Sequence, residues 1–292
     1  MRRSNPVLAR ELRVRMRGAR AAIMLTAYLL ILCVVVWLTY QAKTGTADLF
    51  NPPAATQTAT IGRAMFQWVV FFLTLLVFFI VPALTAGTIA GERERQTLVP
   101  LQVTLLKPRS IVLGKLGAAI AFLVLLLVAS LPLLTVAFVI GGVTIAQVVA
   151  AEAAVLGTGL VLAAISIACS SFFNRVQTAT VAAYALVVLL VGGSFVAYAG
   201  GGIIDKARGN DPAHPPRQVL VVNPLMATAD VVADRRIGPL SVDSPFNGLR
   251  QIGNRSGQRR LWPAAFATLG GIGIVALLIA SRRLRTPAAS ER

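Results

Sequence analysis

Few residues in this chain have the chemistry to act on a bound molecule. Glu152 is the single charged residue between Lys115 and Arg175. An ionisable group in so apolar a stretch is costly in lipid and by default faces a cavity, a partner or water. Two readings fit it. With Ala150, Ala151, Ala153 and Ala154 beside it and Gly157 a turn later, it is a candidate pathway or helix-interface carboxylate. Its nearness to Gly141-Gly142 equally suits a residue at the outward end of a helix, reaching water. His214 is the sole histidine, set beside Pro215-Pro216 with no motif around it. Cys33 and Cys169 each fall in apolar runs, which suits small core residues rather than a disulfide or a metal pair. Gly114-Lys115 ends like a phosphate loop, but Arg109 stands where the Walker A pattern needs glycine and Leu116 where it needs Ser or Thr. Neither H-E-x-x-H nor G-x-S-x-G occurs. The chain is therefore read as no enzyme, with no nucleotide site or metal of its own.

The elements that must position these residues are membrane spans. The chain is 56% hydrophobic and only 13% charged, against about 45–50% and about 25% in soluble domains. That balance leaves too little polar surface for a soluble particle, and it excludes disorder as well. Crossing about 30 Å of hydrocarbon takes about 20 helical residues. Charge-poor runs of that length predict an all-α, polytopic protein with spans over 21–40, 64–90, 116–140, 143–173, 177–204 and 261–281, in one transmembrane domain of residues 1–292. Pro82 predicts a kink in the second span, tolerable where neighbouring helices re-satisfy the backbone. The glycines of Gly87-x-x-x-Gly91, Gly192-Gly193 and Gly270-Gly271-x-Gly273 suit helix packing better than ligand binding.

An even number of crossings puts both termini on one side. Arginine is dense before residue 21, Arg93, Arg95, Lys107, Arg109 and Lys115 join spans two and three, and Arg282, Arg283 and Arg285 follow the last span. The first loop on the other side has only Lys43 and Arg63. The positive-inside rule then predicts cytoplasmic termini. The net charge of +17 is on this view a topological signal and a contact for anionic membrane lipids. Without an aromatic-interleaved basic module, it does not predict nucleic-acid binding.

Three segments lie outside the spans. Residues 1–20 read as an amphipathic interfacial helix, capped by Asn5 and opened by Pro6. Leu8, Leu12 and Met16 share one face, and Arg10, Arg13, Arg17 and Arg20 the other, a pattern that lies in the membrane surface; a basic tail serving topology alone is the plainer reading. Residues 91–115 mix the charged run Glu92-Arg93-Glu94-Arg95 with Leu98, Leu101, Val103, Leu105 and Leu106. Such a segment suits docking into a groove on a partner protein, and equally an interfacial loop that joins two spans. Residues 205–260 form a loop on the outer side whose apolar middle, 218–233, contains Pro224 and is short for a crossing. Interfacial or re-entrant short helices fit it.

These segments carry a resemblance. Asn5-Pro6-Val7-Leu8-x-Arg10-Glu11-Leu12-x-x-x-Met16-Arg17 before span one resembles the start of type-2 ABC-exporter permeases. Glu92-Arg93-Glu94-x-x-Thr97-Leu98-x-x-Leu101-x-x-Thr104, followed by Leu113-Gly114-Lys115, resembles that family's cytoplasmic coupling segment. Asn223-Pro224-Leu225 and Arg282-Arg283-Leu284-Arg285 fit as well. The chain departs from the pattern at Gln96, where glycine is usual, at Leu105, where proline is common, and at Pro100. The resemblance implies an exporter's membrane subunit in the plasma (inner) membrane of a bacterium. It implies a second permease, identical or similar, joined through spans one and five, and two ABC ATPase subunits that bind ATP and Mg. Glu92, Arg93, Glu94, Thr97, Leu98 and Leu101 would then form or flank the ATPase contact. The competing classes are a polytopic enzyme acting on lipids and an ion-coupled secondary transporter. The first wants convergent acid, base or metal groups, and the second wants more than one buried carboxylate.

Overall fold

The computed structural model describes residues 19–44, 55–96, 108–208, 217–232, 244–246, 249 and 261–284. The predicted interfacial helix, with Leu8, Arg10, Leu12, Arg13, Met16 and Arg17, lies outside them, as do Thr97, Leu98, Leu101 and His214. The described residues hold helices and no strand. They are α1 (Ala19–Thr44), α2 (Ala55–Thr85), α3 (Gly87–Glu94), α4 (Pro108–Ile140), α5 (Ile145–Phe172), α6 (Val176–Ala207), a 3₁₀ turn (Arg217–Val222), α7 (Pro224–Val232) and α8 (Trp262–Arg283). Six helical stretches among them are long and apolar enough to cross a membrane. The chain is a multi-pass membrane protein.

Several helices outrun their apolar runs. The second candidate span, Thr58–Glu94, takes in α2 and α3 and has 37 residues, about 55 Å at about 1.5 Å per residue. That exceeds the hydrocarbon by far, so its charged end stands clear of the lipid tails. Pro82 lies inside α2; its ring and missing N–H weaken the ladder, and the helix breaks just beyond, at Ala86. Likewise α4 opens on Pro108, a residue pre-set for the first helical position. Lys115 therefore sits two turns inside a helix and not at its border.

At the centre of the bundle stands α5, which packs against α2, α3, α4, α6, α7 and α8. Its buried face is built largely from small residues, Ala151, Ala154, Thr158, Gly159, Ala163, Ala164, Ser166 and Ala168 among them. Small side chains let helix axes approach closely, which is how spans pack without a hydrophobic driving force. A capping box fixes where α5 begins: Thr144 accepts from the Gln147 amide, and the Gln147 side chain accepts from the Thr144 amide. The α4–α5 turn needs glycine. Gly142 has φ +82°, and a Cβ there would enter the Ala59 carbonyl oxygen. Gly62, on α2, approaches the same turn so closely that a Cβ would enter the Gly141 carbonyl. Arg63 Nε closes the contact on Gly142 O at 3.2 Å.

Between α6 and α8 a short hairpin covers one end of the bundle. The 3₁₀ turn packs on α6 and α8, and α7 packs on α5 and α8. At nine residues, about 14 Å, α7 is too short to cross. It is nonetheless buried over Met226–Ala229 and at Val231 and Val232. A 3₁₀ turn and a short helix thus occupy the described part of the segment before the last span. Asn223, with no exposed surface, holds the hairpin: Oδ1 accepts from the Leu225 and Met226 amides at 2.9 and 3.3 Å, and Nδ2 donates to Ser194 Oγ at 2.8 Å and Val191 O at 3.2 Å on α6. Asp230 Oδ2 accepts from the Leu261 and Trp262 amides at 2.9 and 2.8 Å, capping α8.

Candidate functional site

Opposite the hairpin, α3 is pinned by its charged run to three other helices. Successive residues on a helix point about 100° apart, so Glu92, Arg93 and Glu94 reach different neighbours. Glu92 Oε1 pairs with Lys115 Nζ of α4 at 2.9 Å. The ammonium also donates to Thr88 O of α3 at 2.8 Å, and Lys115 is only 1% exposed. Arg93 donates to Ser171 O and Phe173 O at 3.3 Å each and to Asn174 Oδ1 at 3.2 Å, all at the end of α5. Glu94 Oε2 accepts from the Val176 amide at 3.0 Å, the first residue of α6.

The alternation of charge has an electrostatic reason. A helix C-terminus presents unpaired carbonyls and favours a cation; a helix N-terminus presents unpaired amides and favours an anion. Because α5 ends and α6 begins within a few residues, Arg93 serves the first and Glu94 the second. Glu92 answers the buried ammonium. Breaking one partner from a buried pair typically costs about 3–5 kcal/mol, since the other charge is left uncompensated.

The backbone of α3 is tied down too. Ile89 N and Ala90 N both donate to Ser170 Oγ of α5, at 3.0 and 2.9 Å. In a straight helix Ile89 N would use Thr85 O; here that carbonyl takes the Thr88 hydroxyl at 2.7 Å. Gly87 lets Val176 seat against the break, 3.0 Å from where a Cβ would stand, and Gly91 meets the same side chain at 3.4 Å. α3 ends at Gln96, whose φ of +56° is left-handed, while Arg95 N and Gln96 N bond back to Gly91 O and Arg93 O. Left-handed residues just past a helix are usually glycine, so the departure at Gln96 falls where the backbone asks for one.

Glu152 lies apart from this site, partly buried in α5. Its Oε1 accepts from Ser130 Oγ of α4 at 3.0 Å, and Oε2 is buried with no hydrogen-bond partner among the described residues. Nearby, Tyr28 of α1 donates to Leu126 O at 3.0 Å. The structure thus brings Glu92, Arg93 and Glu94 together at one end and leaves Glu152 in the α4–α5 contact. Lys115 and Asn223 stood in the motifs Leu113-Gly114-Lys115 and Asn223-Pro224-Leu225 without an assigned role, and Ser170 is a candidate that no sequence motif singled out. In sequence Lys115 read as the charge bordering the third span, and Ser170 had no signal beyond its small size.

The glycine motifs divide. Gly87, Gly91 and Gly273 pack against neighbours. Gly192, Gly270 and Gly271 have nothing within 4 Å of where a Cβ would stand, and Gly193 meets only its own helix at Leu189. For these last four, packing within the subunit is not what the residues do among the described elements.

The family model of ABC-2 family transporter proteins matches residues 39–282. The chain belongs to the ABC-2 transporter family. It is accordingly a permease subunit of an ABC transporter, a class of membrane subunit that is generally not itself catalytic and typically works with an ATPase partner. None of the curated proteins matches the chain.

Proposed function

We propose that this permease exports its substrate across a bacterial plasma membrane, driven by ATP hydrolysis in two separate ABC ATPase subunits, as one half of a homodimer or a heterodimer. The observation that carries the reading is the anchoring of α3. A segment that only joins two spans gains local stability alone from binding α4, α5 and α6 at once. A segment that receives force gains a path into several spans. On this reading residues 91–107 meet the ATPase, Thr97, Leu98 and Leu101 making contact and Glu92, Arg93 and Glu94 flanking it. ATP and Mg are held by the partner. Closure of the ATPase dimer favours one arrangement of the spans because this contact binds the two arrangements unequally.

Orientation follows from the same end. Arg93, Arg109, Arg175, Arg282 and Arg283 gather there, which favours a cytoplasmic face by the positive-inside rule and cytoplasmic termini with it. The amphipathic pattern through Leu8, Arg10, Leu12, Arg13, Met16 and Arg17 would lie on that face against anionic lipid. The second permease would join through α1 and α6, the two least buried spans of the six. Trp37, Val188 and Leu189 are exposed there, and Gly192 leaves room for close approach.

Co-purification with the ATPase tests the reading. Replacing Thr97, Leu98 and Leu101 together by Asp is expected to abolish both assembly and the permease-dependent rise in ATP hydrolysis. Full assembly and stimulation in that variant would refute the contact, as would labelling of residues 92–107 from outside the cell.

A further inference from the structure

We infer that Lys115 is a positioning residue for the coupling segment: its buried ammonium, held between Glu92 Oε1 and Thr88 O, sets where α3 stands and so where the ATPase contact begins. The inference rests on the coupling reading above for its functional consequence, but not for its structural one.

Three features carry it. First, a charged lysine at 1% exposure is too costly to keep as a mere contact for lipid headgroups, which need it at the surface. Second, its two named acceptors lie one turn apart on α3, Thr88 O at 2.8 Å and Glu92 Oε1 at 2.9 Å. A single ammonium therefore fixes α3 both along and around its axis, which one hydrogen bond would not do. Third, it grips α3 just beyond Ala86, where α2 passes into α3 and Ser170 supplies the acceptor for two amides. Upstream of the break α2 is held by apolar packing at Val77, Phe78 and Val81. Downstream, direction comes from Ser170, Lys115, Arg93 and Glu94. Of these anchors Lys115 is the one that belongs to the span following the segment, so it closes residues 92–115 into a loop with both feet fixed. Arg93 and Glu94 cannot do that, because their partners are on α5 and α6.

The full-length permease in nanodiscs, alone and with its ATPase, gives the test. Amide exchange is followed over residues 87–96, and Mg-ATP hydrolysis is measured with and without permease. Lys115→Met is expected to speed exchange there and to cut the permease-dependent stimulation by about tenfold, within the range of coupling between sites, while the ATPase still co-purifies. Glu92→Gln keeps an acceptor for the ammonium but removes its counter-charge, and is expected to speed exchange over 87–96 by less than Lys115→Met does. If Lys115→Met does not accumulate, Glu92→Leu breaks the same link from its more exposed side and is expected to give the Lys115→Met result. Unchanged exchange over 87–96 in the lysine variant, or in Glu92→Leu where that variant stands in, overturns the positioning role. So does stimulation that stays at the parent level while exchange rises. If the unaltered permease neither binds nor stimulates the ATPase, the coupling reading fails, and the exchange measurement still decides where α3 gets its direction.

Discussion

Asn223→Ala is expected to loosen the short hairpin while leaving the bundle assembled. Asn223 has no exposed surface, and every bond it makes is local to the hairpin or to α6. Alanine removes the cap from α7, a loss of about 1 kcal/mol. It also removes two Nδ2 donations, net about 1 kcal/mol each. The discount on that sum comes from the acceptors: Ser194 Oγ already donates to Val191 O at 2.8 Å, so neither is stranded on its own helix. A total of about 2–3 kcal/mol follows, which raises the population of the open hairpin about 30- to 150-fold. Hydrogen–deuterium exchange over residues 217–232 reads this directly, provided closing is fast relative to exchange. Asn223→Ser separates the two roles, because a serine hydroxyl still caps but donates no pair of bonds to α6; its effect should fall between parent and alanine. Exchange in Asn223→Ala within about threefold of the parent would refute this sum, since an opening cost lowered by more than about 1 kcal/mol must show. Equal effects of alanine and serine would refute the capping share alone.

Gly62→Ala is expected to lower the melting temperature of the detergent-solubilised protein, because its methyl meets the Gly141 carbonyl and lies 2.8 Å from Ala137 O, backbone that yields only at about 1–3 kcal/mol or more; Gly192→Ala, with open space around it, should leave that temperature unchanged, and a fall there would mean that another element or another copy occupies the space. Gln96→Gly is expected to stabilise the end of α3, relieving a left-handed cost of about 1 kcal/mol, seen as slower amide exchange at Arg95 and Gln96. Glu152→Gln preserves the Ser130 hydrogen bond and removes a carboxylate from an apolar contact, so thermal stability should hold or rise, whereas Glu152→Lys should lower it; a transport defect in the glutamine variant at full stability would assign the carboxylate to the pathway.

The six spans were legible because crossing a bilayer demands a long charge-poor run, and that demand is local in sequence. Their ends were not. An apolar run stops where charges begin, but α4 continues back through Lys115 to Pro108, and α2 starts at Ala55. What hid them is tertiary: a charged residue can stay helical and buried once a partner such as Glu92 answers it. The charged run itself was visible, and its family resemblance gave it a role, but nothing in Glu92-Arg93-Glu94 names Lys115, the end of α5 and the start of α6 as its counterparts. Glycine showed the same limit. Spacing draws the eye to Gly192-Gly193 and Gly270-Gly271, yet the closest backbone approaches are at Gly62 and Gly142, set by which helix end meets which turn.

On the proposed coupling role, charge order in α3 also constrains how force enters the bundle. Arg93 and Glu94 bind the two helices that the 173–175 turn connects, so a displacement of α3 acts on the end of α5 and the start of α6 together. α5 is the most widely packed helix of the bundle, touching α2, α4, α7 and α8, and moving it alone would break many small-residue contacts at once. α6 is held more lightly along its length, being among the least buried spans, but Asn223 fastens it to the hairpin near its midpoint, at Val191 and Ser194. On that proposed role, the cheaper displacement is a tilt of α6 about the α5–α6 turn. Such a tilt keeps the central packing, carries the hairpin's anchor with it, and needs the anion at the start of α6 to remain an anion. That last condition explains why the run alternates in sign rather than being uniformly basic like the rest of this end.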